Sequence, residues 1–208
     1  MTYKILMMGP QGSGKGTQAE LLSKHLNIPA FGMGQLLRDV VSSGSSLGQE
    51  IKRITDKGNL VSDPVAAEVL KNRLAEPDTT NGYILDGFPR NQSQYEIMEQ
   101  VDEPTHVLVI EIPKEETLRR LSGRLTCLVC GRVYRAAEGH AAGESCLCGE
   151  GTLVQRDDDK PEAIMRRLEI YEQDTTPVIA QYEAKGLLHH VDGMGSVAEV
   201  QARIIASL

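Results

Sequence analysis

The sequence predicts an α/β fold in which a parallel sheet is covered by helices on both faces. Two observations carry this. Short, nearly continuous apolar runs, Tyr3 to Met8 and His106 to Ile112, have the pattern of strands buried on both sides rather than the alternation of a half-exposed sheet. Between such runs lie segments whose apolar residues recur at helical spacing, so strand and helix alternate along the chain. Glycine-rich or charged turns close two of the strands, and in an open parallel sheet those carboxyl ends are where ligands bind.

In order, Tyr3 to Met8 is a strand. The turn Gly9-Pro10-Gln11-Gly12-Ser13-Gly14-Lys15-Gly16-Thr17 follows, then a helix over Gln18 to Leu26 with Ala19, Leu22 and Leu26 facing the sheet. A short extended piece at Pro29 to Phe31 precedes helices near Gln35 to Ser42 and Leu47 to Asp56, split by Ser43-Gly44-Ser45-Ser46 and ended by Gly58. Asp63 reads as an N-cap with Pro64 at the first helical position, opening a helix to about Leu74. Gly82 to Asp86 is a strand, Gln92 to Gln100 a helix, and His106 to Ile112 a strand stopped by Pro113 before a helix over Glu115 to Leu121. Residues 123–160 are rich in glycine, cysteine and arginine, with little helical period, and are expected to form a small inserted lid. One long helix from Pro161 to about Lys185, a strand Leu187 to Val191, and a helix opened by the capping-box pattern Ser196-Val197-Ala198-Glu199 complete the chain.

Bulk properties narrow the function. A chain of 208 residues with 40% hydrophobic and 25% charged content can bury a core of its own. A net charge of −7 argues against a protein that coats nucleic acid or an anionic membrane. The amino terminus lacks the architecture of a secretory signal, and no apolar stretch reaches the roughly 20 residues of a membrane span, so a cytoplasmic protein is expected. The 4 cysteines all lie between positions 127 and 148, which in a reducing compartment points to a metal or to free thiols rather than to disulfides.

The turn after the first strand is a phosphate cradle. Its glycines let the backbone turn tightly with amide N–H groups directed inward, and the following helix adds the positive end of its dipole. Lys15 would reach the β- and γ-phosphates of a nucleotide, and Thr17 would offer a hydroxyl to Mg²⁺ or a phosphate oxygen.

The spelling Gly-Lys-Gly-Thr at 14–17, with Asp86-Gly87-Phe88-Pro89-Arg90, Gly123-Arg124, Gln155-Arg156-Asp157-Asp158 and the Arg166-Arg167 pair, resembles the adenylate kinases of the bacterial long-lid form, over essentially the whole chain. The resemblance implies a P-loop NTPase-type core over 1–208 with two mobile insertions, an AMP-binding segment at 32–61 and a lid at 124–160. It implies a monomer, and reversible Mg²⁺-dependent transfer of a phosphoryl group from ATP to AMP, giving two ADP. Such a reaction needs two polyanions oriented in line and kept from water, work suited to arginine, whose planar guanidinium grips phosphate oxygens in pairs.

By that resemblance Gly12, Ser13, Gly14, Lys15, Gly16 and Thr17 cradle the ATP phosphates. Arg38 and Arg90 hold the AMP phosphate, while Arg124, Arg156 and Arg167 converge with Lys15 on the transferring group, Arg156 and Arg167 also reaching the AMP side. Arg120 is a further ATP-side candidate; Arg132, Val133 and Tyr134 would lie over the ATP base and ribose, and Gly195 would contact adenine through its backbone. Asp86 would accept bonds from waters on Mg²⁺. Asp157, Asp158 and Asp159 either orient the lid arginines or form a solvated lead-in to the next helix. On the AMP side stand Met33, Asn59, Leu60, Val61, Gly87, Phe88, Pro89 and Gln94. The Gln94 amide can accept from the exocyclic amine of adenine while donating to the adjacent ring nitrogen. Related UMP and CMP kinases tend to carry asparagine there, so Gln94 favours AMP and leaves the pyrimidine kinases as the nearest alternative. Met33 departs from the threonine usual in the family; either it packs on the base or acceptor specificity has shifted.

Cys127-Leu128-Val129-Cys130 has zinc-knuckle spacing, whereas Cys146-Leu147-Cys148 is one residue short. The four thiols are expected to hold a structural Zn²⁺ in a lid with almost no apolar core, with His140 a possible substitute ligand. The other histidines, His25, His106, His189 and His190, read as packing or surface residues. A metal-ribbon binding module that merely retains a nucleotide site is a rival of another class, and it calls for a basic face that this composition lacks.

Overall fold

The computed structural model describes residues 2–55, 61–156 and 159–208. Its centre is a five-stranded sheet in the order β2-β3-β1-β4-β8, every neighbouring pair parallel. The strands are β1 (Tyr3–Met8), β2 (Ala30–Gly32), β3 (Gly82–Asp86), β4 (His106–Glu111) and β8 (Leu188–Asp192). Successive side chains of one strand feed opposite layers. Leu6, Met8, Leu85, Val107 and Val109 pack in one layer with Leu70 of α4 (Asp63–Leu74), Met98 of α5 (Gln92–Val101) and Val178 and Tyr182 of α8 (Thr176–Ala184). Ile5, Met7, Ile84, Leu108 and Ile110 pack in the other with Ala19 and Leu22 of α1 (Lys15–Leu26) and Val200 and Ile204 of α9 (Val197–Ala206). Burial on both faces is why these strands lack polar alternation.

Residues 33–55 form α2 (Met33–Ser42) and α3 (Ser46–Thr55), which build a satellite cluster of Leu36 and Ile51 with Val69 of α4. After β4, α6 (Lys114–Ser122) leads into a second, antiparallel sheet of β5 (Arg124–Cys127), β6 (Val133–Arg135) and β7 (Leu153–Val154), ordered β6-β5-β7. Among the described residues no helix is long and apolar enough to cross a membrane.

Three expectations are corrected. Ser62, not Asp63, is the N-cap of α4; Asp63 is the first helical residue, and its carboxylate reaches across to α5 instead of folding back on its own amides. The single helix expected over 161–185 is α7 (Pro161–Ile170), a widened π turn at Tyr171–Thr175, and α8. Pro177 supplies no N–H for a regular helical bond to the preceding turn, and widening that turn relieves the clash of its ring. The lid is not without a core: Leu125, Cys127, Tyr134, Cys146 and Leu153 are buried together. The capping box at Ser196 and Glu199 forms as its spacing predicts.

Candidate active site

The site is built at the carboxyl ends of β1 and β3. Their register sets Met7 opposite Asp86, so the glycine turn leaving β1 and the carboxylate closing β3 emerge side by side. Gly9 must be glycine: its φ is +131°, and a Cβ there would stand 2.3 Å from the Ile110 carbonyl oxygen of β4. Gly12 and Gly14 also have positive φ, and Gly14 caps α1 with no side chain, leaving the first amides of that helix directed into the turn. Lys15 Nζ lies inside the loop, donating to the Gly9 and Pro10 carbonyls at 2.9 and 2.8 Å. Burial lowers its pKa to about 8; Asp86 opposes that shift, and the positive charges of Arg90, Arg167 and Arg124 add to it. These three arginines, far apart in sequence, therefore bring their charge to one ammonium. Asp86 Oδ2 faces the loop, 3.8 Å from where a Gly16 Cβ would be, and Thr17 is exposed at the helix start.

The lid arginines are held by one acid. Asp159, completely buried, accepts from Arg124 Nε at 2.8 Å and Nη2 at 2.6 Å, and Arg167 Nη1 lies 3.7 Å from the same carboxylate. Of the two readings of the acidic run, Asp159 thus belongs to the arginine cluster; Asp157 and Asp158 lie outside the described residues. Arg166 is exposed, so of that pair Arg167 faces the site. Arg38 is pulled below the usual arginine range by burial and, next, by the charge of Arg156.

On the acceptor side, Arg90 Nε donates to the Gly87 carbonyl at 2.7 Å, and Gly87 combines a φ of +84° with a missing Cβ that would meet Arg90 Nη2 at 2.7 Å. Phe88 and Pro89 are both buried, joined by a cis peptide. Gln94 and Asn91 lie at the start of α5. Met33 is buried in the same apolar cluster as Phe88, so its thioether fills core space. Val61 packs beside Leu36 and Ile51; Asn59 and Leu60 lie outside the described residues.

Arg120 is tied to the carbonyls of the phosphate loop. Its guanidinium donates to the carbonyls of Gly12 (3.3 Å), Ser13 (3.4 Å) and Gly193 (2.9 Å), while Nε is held by Glu116 at 2.6 Å. Gly195, with φ of +101°, gives Glu199 room to close the capping box. In the lid Val133 is exposed, whereas Tyr134 is buried with its hydroxyl 3.3 Å from Cys146 Sγ.

The sulfur atoms of Cys127, Cys130, Cys146 and Cys148 lie within 4.8 Å of one another, with Cys127 to Cys148 at 3.8 Å and Cys130 to Cys146 at 3.6 Å. Tetrahedral zinc thiolate bonds of about 2.3 Å place sulfurs about 3.8 Å apart, so the set fits that ion. The shortened pair still makes a tight knuckle, closed by a Gly149 N–H bond to the Cys146 carbonyl at 2.9 Å. The Cys148 amide, with the Tyr134 hydroxyl second, lowers the Cys146 thiol, while, against the Arg132 amide, desolvation and the surrounding thiols raise that of Cys130. His140 stands outside the four-sulfur group: it pairs with Glu144 at 3.1 Å and stands edge-on to Tyr134.

The family model described as "Adenylate kinase" matches residues 7–187, spanning the loop, both insertions and α8. The chain belongs to the adenylate kinase family. A protein named adenylate kinase from Syntrophotalea carbinolica is 41% identical over 99% of this chain and 98% of its own length. One from Caldicellulosiruptor bescii is 41% identical over 99% and 98%, and one from Methanothrix thermoacetophila 40% identical over 94% of each chain. The likeness to these adenylate kinases thus extends through the lid as well as the core. Two residues that the motifs do not reveal are Glu116 and Asp63. The spacing of Glu116 and Arg120, four apart on one helix, is a signal that could have found the first.

Proposed function

We propose that this chain transfers the γ-phosphoryl group of ATP to AMP, reversibly and with Mg²⁺, yielding two ADP. The observation that carries the proposal is the gathering of Arg90, Arg124 and Arg167 around Lys15, facing Asp86 at the ends of β1 and β3. The loop amides and Lys15 take the β- and γ-phosphates of the donor, and Arg38 and Arg90 take the phosphate of AMP. Arg124, Arg156 and Arg167 meet the charge on the group in flight. A planar cation at that place is worth roughly 10³ to 10⁵ in rate. Asp86 suits a water-mediated hold on Mg²⁺, which supplies further neutralisation of phosphate charge when bound. Val61 and the backbone of residues 87–89 line the AMP side, Asn59 and Leu60 remain AMP-side candidates by the family likeness, and Gln94 reads the adenine edge. Gln94 Oε1 accepts from the Arg90 N–H and its Nε2 donates to Asp63, which leaves one lone pair and one N–H for the base. Val133, Tyr134 and Gly195 lie toward the donor base.

The four cysteines hold Zn²⁺ as a structural ion of the lid. Lid and AMP segment close over bound nucleotides and keep out water that would otherwise hydrolyse ATP; adenylate kinase's lid is itself a standard example of such closure. The chain works as a monomer in the cytoplasm. A coupled assay with ATP, Mg²⁺ and, in turn, AMP, UMP, CMP and GMP tests the central reading. ADP formation with AMP far exceeding the others supports it, and preference for a pyrimidine would replace it with the alternative kinase. Elemental analysis of the same preparation reports the lid metal.

A further inference from the structure

Asp63 stands where it can decide how a neighbour is presented. The first residue of α4, it accepts from Gln94 Nε2 at 2.7 Å and from Asn91 Nδ2 at 3.3 Å. The opposite end of the same Gln94 amide accepts from the Arg90 backbone N–H at 2.8 Å, and the Gln94 backbone N–H donates to Asn91 Oδ1 at 2.8 Å. A carboxylate can only accept and a backbone N–H can only donate. Turning the amide over would press Oε1 against the Asp63 carboxylate and Nε2 against the Arg90 N–H, losing two hydrogen bonds, one of them charge-assisted, and creating two repulsions.

We infer that Asp63 is a specificity-determining residue: it holds the Gln94 amide one way round, and so selects acceptor bases by the donor and acceptor order along their edge. The inference rests on the reading of Gln94 as the residue that meets the base. Adenine offers an exocyclic amine donor beside a ring-nitrogen acceptor, and the lone pair and N–H left on Gln94 match that order. Hypoxanthine has the same ring shape but the reverse order, a carbonyl acceptor beside a ring N–H donor, which only a turned-over amide would satisfy. With the amide locked, the reversed edge leaves polar groups unpaired on both sides, the kind of mismatch that discriminates strongly. Asp63→Asn removes the lock. The new amide can present either its oxygen or its NH₂ to Gln94, so only the Arg90 N–H then opposes turning.

The test compares kcat/KM for AMP with that for IMP in the unaltered enzyme and in the Asp63→Asn, Asp63→Ala, Asp63→Glu and Gln94→Leu variants. Asp63→Asn and Asp63→Ala are expected to lower the AMP to IMP ratio by about tenfold, whatever their effect on either rate alone. Asp63→Glu, which can still only accept, retains most of the discrimination. A purely structural role for Asp63 at the start of α4 would depress both substrates alike and leave the ratio unmoved, which overturns the inference. If the ratio collapses in Gln94→Leu but not in Asp63→Asn or Asp63→Ala, Asp63 does not set the amide although Gln94 does read the base. If Gln94→Leu leaves the ratio unchanged, the reading of Gln94 fails and the inference fails with it.

Discussion

Arg124 and Asp159 form a two-point ion pair, Nε to Oδ2 at 2.8 Å and Nη2 to Oδ1 at 2.6 Å, with the carboxylate fully buried and Arg167 drawn to the same acid. Two guanidiniums that would otherwise repel are thereby fixed beside one another near the loop. Asp159→Ala leaves both without their shared acceptor. Removing one partner of a buried pair destabilises by about 3–5 kcal/mol, visible in urea unfolding. Misplacement of the arginines should lower kcat on the order of 100-fold in molecules that remain folded. A variant with normal kcat would show that Asp159 does not position them.

Lys15→Ala is expected to lower kcat by roughly 10³ or more while the chain still folds, because the lost ammonium bonds to groups of its own loop, the Gly9 and Pro10 carbonyls and the Ser13 hydroxyl. Circular dichroism and single-turnover kinetics on one preparation separate the two effects. The pH dependence follows from burial, which lowers this ammonium from 10.5 to about 8 in the folded chain. Between those values the folded state binds fewer protons than the unfolded chain. The Lys15 contribution to stability therefore rises with pH through that window, and its cost is fully present below about 8. Activity runs the other way: kcat/KM for ATP should fall above about pH 8 as the free enzyme loses the charge. A profile flat to pH 10, measured with the stability of the enzyme checked at each point, would sink that assignment.

Glu116 holds Arg120 against the carbonyls of the phosphate loop and of Gly193. Glu116→Gln should raise KM for ATP roughly three- to tenfold, with KM for AMP little changed, since the brace touches only the donor side. Equal changes for both nucleotides would mean a general loss of packing instead. The hydrogen bond from Arg119, helped by Arg120 against the opposing effect of burial, holds this carboxyl at about 2 rather than 4.5. Its contribution to stability is fully present above 4.5 and is lost as the pH falls through about 2, so acid unfolding of Glu116→Gln should begin from a lower plateau but be less steep.

Removal of the lid metal by a chelator should lower the melting temperature by about 5 °C or more, and expose the amides of β5, β6 and β7 to hydrogen exchange, before it lowers turnover per folded molecule. Cys148→Ser should behave in the same direction. An unchanged melting curve after verified metal removal would rule out a structural ion at the four thiols.

Much of this was legible in the sequence because the determinants are local. Gly9 to Thr17 encode a turn that only glycine can make beside a helix start, the doubly buried strands declare themselves by continuous apolar character, and Ser196 with Glu199 spells its own cap. What spacing could not convey was which acid meets which base across the fold. Asp63 looked like a helix cap and is instead a partner of α5, because Ser62 takes the cap position and leaves the Asp63 carboxylate to accept from Gln94. Asp159 was one of three acids in a row and its bond to Arg124 is made only in the fold, and His140 was a plausible ligand until four sulfurs gathered without it. The sequence by itself determined the phosphate loop, the layered sheet and the soft ligand set, all written in neighbouring residues. Only the tertiary structure decided the pairing of charges and the direction of amides, because these depend on distances between segments that the chain brings together from far apart.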